Sequence, residues 1–266
     1  MKGRILLVSL ALMTSQVAFA EEKEGEPKIP ELHKLSMNVG IASQYVYRGL
    51  TQTNSTPAIQ GGIDYKYNNS FYIGTWFSNT SFYNDLLLGA SSSLEVDGYV
   101  GYKGTIGNGW RYDVGALRYE FPGTHPQTAL NAARLVRPNS TELYASIGYK
   151  WVNVKYSYAV GSLFGIPNTG GSYYLEGEGD IPILDTGFEL ALHAGRQVFR
   201  GTSPEGISNN SLFSYADYRI GIQKDIASYT LSIAVTKSTA QAAGYTNLFG
   251  TNTGANHFIA SVYKEF

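Results

Sequence analysis

Cysteine is absent from the 266-residue chain, which excludes disulfide scaffolds, thiolate metal centres and cysteine nucleophiles. Charge is scarce as well. Asp, Glu, Lys and Arg make up 15% of residues, where ordinary soluble domains carry about 25%, so a water-facing surface on all sides is not expected. Past the first 20 residues no apolar run approaches the roughly 18–20 residues that a membrane helix needs, which excludes a helical membrane protein. Basic residues form no cluster of the kind that grips nucleic acid, so nucleic acid is not an expected partner. What is abundant is Gly, with 30 residues, and Tyr, whose 21 residues outnumber the 12 Phe and 3 Trp together.

The N-terminus has the form of a secretory signal. Lys2 and Arg4 precede an apolar stretch from Ile5 to Leu12, and Ala18-Phe19-Ala20 is a small-x-small cleavage site. Cleavage after Ala20 starts the mature chain at Glu21, and residues 21–34, charged and Pro-bearing without periodicity, read as a flexible periplasmic lead-in or a small plug element. Loss of two basic residues from the 20 Lys and Arg leaves 18 against 21 Asp and Glu.

From Leu35 the apolar period becomes two, the mark of strands with one apolar and one polar face. Met37, Val39, Ile41, Tyr45 and Tyr47 oppose Asn38, Gly40, Ala42, Gln44 and Arg48. The alternation recurs through Ile59–Tyr67, Leu94–Lys103, Trp110–Val114, Glu142–Tyr149, Asn153–Tyr158, Tyr173–Ile181, Phe188–His193, Asp217–Gln223, Tyr229–Thr236 and Phe258–Phe266. Phe71–Phe77 is apolar on both faces and fixes no register. These segments make twelve strands, and their connections alternate between long and short. That is the asymmetry of a bacterial outer-membrane barrel with short periplasmic turns and both termini in the periplasm. A soluble sandwich alternates too. The signal segment, aromatic residues near strand ends and the terminal Phe266 decide for a transmembrane antiparallel β-barrel over residues 35–266 in the outer-membrane lipid. Phe266 resembles the terminal signal read by the barrel assembly machinery, although Lys264 interrupts the alternation before it.

Several phrases are more specific: Tyr47-Arg48-Gly49-Leu50-Thr51-Gln52, Pro57-Ala58-Ile59-Gln60-Gly61-Gly62-Ile63-Asp64-Tyr65 and Phe71-Tyr72-Ile73-Gly74-Thr75-Trp76-Phe77-Ser78-Asn79. With Leu94-Glu95-Val96-Asp97, Lys155-Tyr156-Ser157-Tyr158 and Ser172-Tyr173-Tyr174-Leu175-Glu176, they make the chain resemble the TorF family of porins, also known as the Gcw_chp family, from about Ser36 to Phe266. The resemblance implies an outer-membrane barrel and names no substrate, cofactor or catalytic residue. The segment from Pro122 to Ser140 is longer than the family pattern leads one to expect.

The polar phase of this pattern assigns charges to the barrel interior: Arg48, Lys66, Lys103, Arg111, Lys150, Lys155 and Arg219 against Asp64, Glu95, Asp97, Asp113, Glu142, Glu176, Glu178, Asp180, Glu189 and Asp217. So many ions demand either water or dense pairing, because an unpaired charge in an apolar medium is prohibitively costly. Glu176, Glu178 and Asp180 form an acidic ladder, which would select cations if it faced water; alternatively Lys150, Lys155 and Arg111 neutralise it. Asp64 beside Lys66, and Arg111 beside Asp113, are expected to belong to similar cross-strand pairs. Arg48 is either a constriction residue or a solvated strand end.

Three functions compete. The first is a passive channel for ions or small polar solutes, without cofactor, as monomer or homo-oligomer. The second is a barrel plugged by paired side chains whose loops meet a partner. The third, a barrel hydrolase, would need a base beside a nucleophile, and His257 with Ser261 or His193 with Ser214 are the available pairings. No His-Glu-x-x-His, calcium loop or His cluster is present, so no metal is expected.

Overall fold

The computed structural model describes residues 32–126 and 137–266. The signal segment and most of the lead-in lie outside the described residues, as does the middle of the 122–140 loop.

Fourteen strands are present among the described residues: β1 (His33–Ala42), β2 (Val46–Tyr47), β3 (Leu50–Thr51), β4 (Ala58–Tyr67), β5 (Phe71–Asn79), β6 (Leu94–Ile106), β7 (Trp110–Glu120), β8 (Ser140–Tyr149), β9 (Val152–Ala159), β10 (Tyr173–Pro182), β11 (Phe188–Val198), β12 (Tyr215–Ile226), β13 (Tyr229–Ser238) and β14 (His257–Glu265). Twelve of them close a barrel in sequence order, β4 through β14 and back to β1, while β2 and β3 form a separate two-stranded hairpin. Every barrel pairing is antiparallel, and closure runs through β1 and β14, with Asn38 opposite Glu265 and Ala42 opposite Ser261. A closed barrel leaves no strand edge unpaired, which the bilayer interior requires.

The alternation in sequence becomes inside and outside. Ile59, Ile63, Val100, Leu143, Ile147, Ile220, Ile233, Val235 and Phe258 are all exposed on the outer wall. Exposed Tyr67, Phe71, Tyr102, Trp110, Tyr149, Trp151, Phe188 and Tyr229 gather where strands meet the short turns, forming the aromatic belt of a bilayer interface. Phe71–Asn79 resolves into Phe71, Ile73 and Phe77 outward with Tyr72, Trp76 and Ser78 inward.

The Tyr excess also has an inward use. Tyr72 lies over Gly101 of the next strand, Tyr144 over Gly115 and Tyr174 over Gly195, so closely that a Cβ at any of these glycines would collide with the ring. Tyrosines seated on glycines fill the lumen side at these positions, one use of both abundant residues.

Two sequence expectations are corrected here. The first strand ends at Ala42, so Tyr45 and Tyr47 do not face lipid: both are buried, because the chain turns inward after Ala42. Lys150 is not on the wall; with φ of 51° it occupies the β8–β9 turn, exposed, its ammonium 5.5 Å from the Tyr149 ring centroid and 5.9 Å from that of Trp151.

Candidate functional site

The connection from β1 to β4 builds the main internal feature. Val46-Tyr47 pairs with Leu50-Thr51, leaving Arg48 and Gly49 as a two-residue turn. Their φ angles of 45° and 74° are the doubly positive pair that such a tight hairpin requires. Gly49 cannot be replaced without cost: a Cβ there would stand 2.6 Å from Cβ of Asp217 on β12.

This hairpin projects across the barrel. Arg48 starts between β1 and β4 and reaches the opposite wall, donating to Glu142 on β8 through Nη1 at 3.0 Å and Nη2 at 2.8 Å, and to Gln197 Oε1 on β11 at 2.8 Å. Its guanidinium lies 4.2 Å from the Tyr174 ring centroid and 4.9 Å from that of Tyr47. Tyr119 donates to Glu142 Oε2 at 2.9 Å, and the Tyr47 and Tyr119 hydroxyls share a bond of 2.6 Å. Planar, bidentate pairing is what a guanidinium offers and an ammonium does not. Apolar side chains pack around the hairpin at the long-loop end: one buried cluster gathers Tyr47 with Trp76, Tyr83, Leu117 and Phe121, another gathers Leu50 with Leu163, Phe199, Tyr215 and Tyr245.

Towards the short turns the charged side chains of the inner wall are less deeply buried. Asp64, Lys66, Arg111, Asp113, Glu189 and Arg219 are only half-buried there, and Lys103 joins them as a buried cation. The inward carboxylates of this stretch bond to tyrosines of other strands. Asp64 accepts from Tyr99 at 2.7 Å, Asp113 accepts from Tyr72 at 2.7 Å, and Arg111 donates to the Lys150 carbonyl at 2.8 Å. Glu189 accepts from Gln223 at 2.9 Å. Glu95 and Asp97 are buried on β6 near the hairpin.

The acidic ladder on β10 faces inward, with Glu176 and Asp180 buried and Glu178 half-buried. Of its expected neutralising cations Lys155 is in place, while Lys150 lies in the β8–β9 turn and Arg111 donates to the Lys150 carbonyl. Lys155 stands 4.0 Å from Glu176, but the group inserted among the carboxylates is His193 of β11. His193 Nε2 lies 2.9 Å from Asp217 Oδ2 and 2.9 Å from the Tyr174 hydroxyl, which donates to Asp217 Oδ1 at 2.9 Å. Neither hydrolase pairing is assembled: His193 binds Asp217 and Tyr174 rather than Ser214, His257 Nε2 meets the Thr253 carbonyl at 2.9 Å, and Ser261 bonds Ser232 at 3.0 Å.

Charge was therefore a partial guide to the site. Tyr119, Tyr174 and Gln197, which hold Arg48 and His193, carry no charge. The phase of the strand could have found them, since Tyr174 lies in step with Glu176, and Gln197 with His193 and Gly195.

A closed antiparallel barrel, apolar towards the outside and polar within, is a transmembrane barrel of the bacterial outer-membrane class. The chain belongs to the Gcw_chp family, described as bacterial proteins of unknown function, whose model matches residues 26–266. Among solved structures it is similar to the KdgM porin, with 8% identity over 87% of this chain and 99% of that one at a TM-score of 0.50. A KdgM porin in complex with disordered oligogalacturonate gives 10% identity, the same coverage and a TM-score of 0.51. An outer membrane channel from Pseudomonas putida F1 shares 13% identity over 91% of this chain and all of the other, at 0.48. These likenesses concern the fold. No curated protein sequence matches the chain.

Proposed function

We propose that this protein is a porin-like channel of the outer membrane, passing ions or small polar solutes passively, with the Arg48 hairpin as its constriction. The observation that carries the proposal is the half-buried set of ionisable side chains on the inner wall below the hairpin, Asp64, Lys66, Asp113, Glu189 and Arg219 among them. Such groups are stable on a barrel wall when water reaches them. The reading matches the porin role implied by the TorF resemblance, needs no cofactor and involves no catalysis. It includes a cleaved signal peptide, delivery by the barrel assembly machinery through Phe266, and solutes met through the long loops, as monomer or homo-oligomer.

A second reading, a sealed barrel that engages partners through its loops, is favoured by one observation: Arg48 bridges the lumen to Glu142 and Gln197 within apolar packing. Planar-bilayer recording separates the two. Stepwise conductance by the wild type supports the channel; conductance that appears or grows in Arg48→Ala identifies the hairpin as the constriction. Silence in both, with folding confirmed by a heat-modifiable gel band, overturns the channel and leaves the sealed barrel.

A further inference from the structure

We infer that Glu176, Glu178 and His193 form a binding site for a divalent transition-metal ion of the zinc type on the inner wall of the barrel. One nitrogen and two carboxylate oxygens from these residues lie within 4.8 Å of one another. His193 Nδ1 is 3.7 Å from Glu176 Oε2 and 3.6 Å from Glu178 Oε1. Those separations are too long for hydrogen bonds. They are a few tenths of an ångström longer than the edge of a coordination polyhedron, since ligands about 2.1 Å from a tetrahedral ion stand about 3.4 Å apart, so small side-chain rotations would close them around an ion.

The other side of the imidazole is already committed. Nε2 faces Asp217 Oδ2 at 2.9 Å, with the Tyr174 hydroxyl bonded to both groups. The edge of the ring left facing the two carboxylates is therefore Nδ1. A carboxylate that fixes the tautomer of a metal-binding histidine from behind is the usual outer support of such sites. The backbone register makes the grouping rigid: Glu178 lies directly opposite His193 in the β10–β11 ladder, and Gly195, opposite Glu176, leaves room for the Tyr174 ring. Lys155, 4.0 Å from Glu176, is a competing cation that the metal would displace from that carboxylate. A nitrogen ligand among oxygens selects zinc, cobalt or nickel over calcium and magnesium.

The inference does not depend on conduction, so it is tested on the folded barrel in detergent micelles without a bilayer. Zinc is titrated calorimetrically, and cobalt is added as a spectroscopic substitute. One saturable equivalent is expected, persisting in excess calcium, with visible cobalt bands of a four-coordinate ion. His193→Ala and, as an isosteric change that preserves packing, Glu178→Gln should each weaken zinc binding more than ten-fold. Asp217→Asn, which acts through His193, should cost roughly 10–100-fold while keeping the cobalt spectrum at higher metal concentration. Absence of saturable binding by the folded wild type overturns the inference, and so does an isotherm unchanged in Glu178→Gln, whether or not His193→Ala folds.

Discussion

Arg48→Ala removes the bridge that the hairpin makes across the lumen. Arg48 retains 6% exposure and Glu142 only 1%, and the two are joined by two hydrogen bonds, with a third from Arg48 to Gln197. Removing the guanidinium leaves a buried carboxylate with only the Tyr119 hydroxyl, and breaking a buried pair from one side costs about 3–5 kcal/mol. Neutralising Glu142 in the same chain removes the orphaned charge, so Arg48→Ala with Glu142→Gln should be less destabilised than the sum of the single variants, with a coupling of about 2 kcal/mol within the range for groups in contact. Urea unfolding in lipid vesicles, followed by fluorescence of Trp76, Trp110 and Trp151, measures all four corners of the cycle. Losses that add to within about 0.5 kcal/mol would refute the claim that this pair holds the hairpin across the lumen.

Three further outcomes follow from the same geometry. Ile233, 53% exposed at the middle of β13, faces lipid, so Ile233→Lys should cost about 2–4 kcal/mol in vesicle unfolding, whereas a polar change at the inward Ser232 should cost far less; equal losses would place the wrong face outside. Glu176→Gln, Glu178→Gln and Asp180→Asn together should reduce cation preference, read as a shift in reversal potential under a salt gradient; an unchanged potential removes the ladder from selectivity. Gly195→Ala forces the Tyr174 ring off its seat and with it the bonds to Asp217 and His193, so it should destabilise the barrel more than Gly177→Ala, where a Cβ meets nothing within 4 Å; the reverse order would refute the seating of tyrosine on glycine.

Period-two patterning was enough to specify the twelve barrel strands and, for nearly all of them, which face meets lipid, because a barrel wall imposes one rule on every residue along each strand. Alternating connection lengths likewise foretold which end carries the long loops. The failures fell where that rule stops applying. Tyr45 and Tyr47 continue the apolar phase of β1, and no local feature says that the chain leaves the wall after Ala42. Lys150 keeps the polar phase of β8, yet one residue decides between wall and turn. Phe71–Phe77 is apolar on both faces and took its register only from its neighbours β4 and β6.

The pairing of charges was beyond the sequence for a different reason. Spacing along a strand says which residues share a face, but partners across the lumen depend on closure and on the stagger between strands. Arg48 and Glu142 are 94 residues apart, and Arg48 and Gln197 149. His193 meets Glu178 because β10 and β11 are in that register, and meets Asp217 because β12 is the next strand. Composition and periodicity thus determined a polar interior and an apolar exterior, since each depends only on which solvent a residue faces. Whether the lumen is bridged, and which acids surround one histidine, was decided by the closed tertiary structure, which alone brings distant strands within hydrogen-bonding distance.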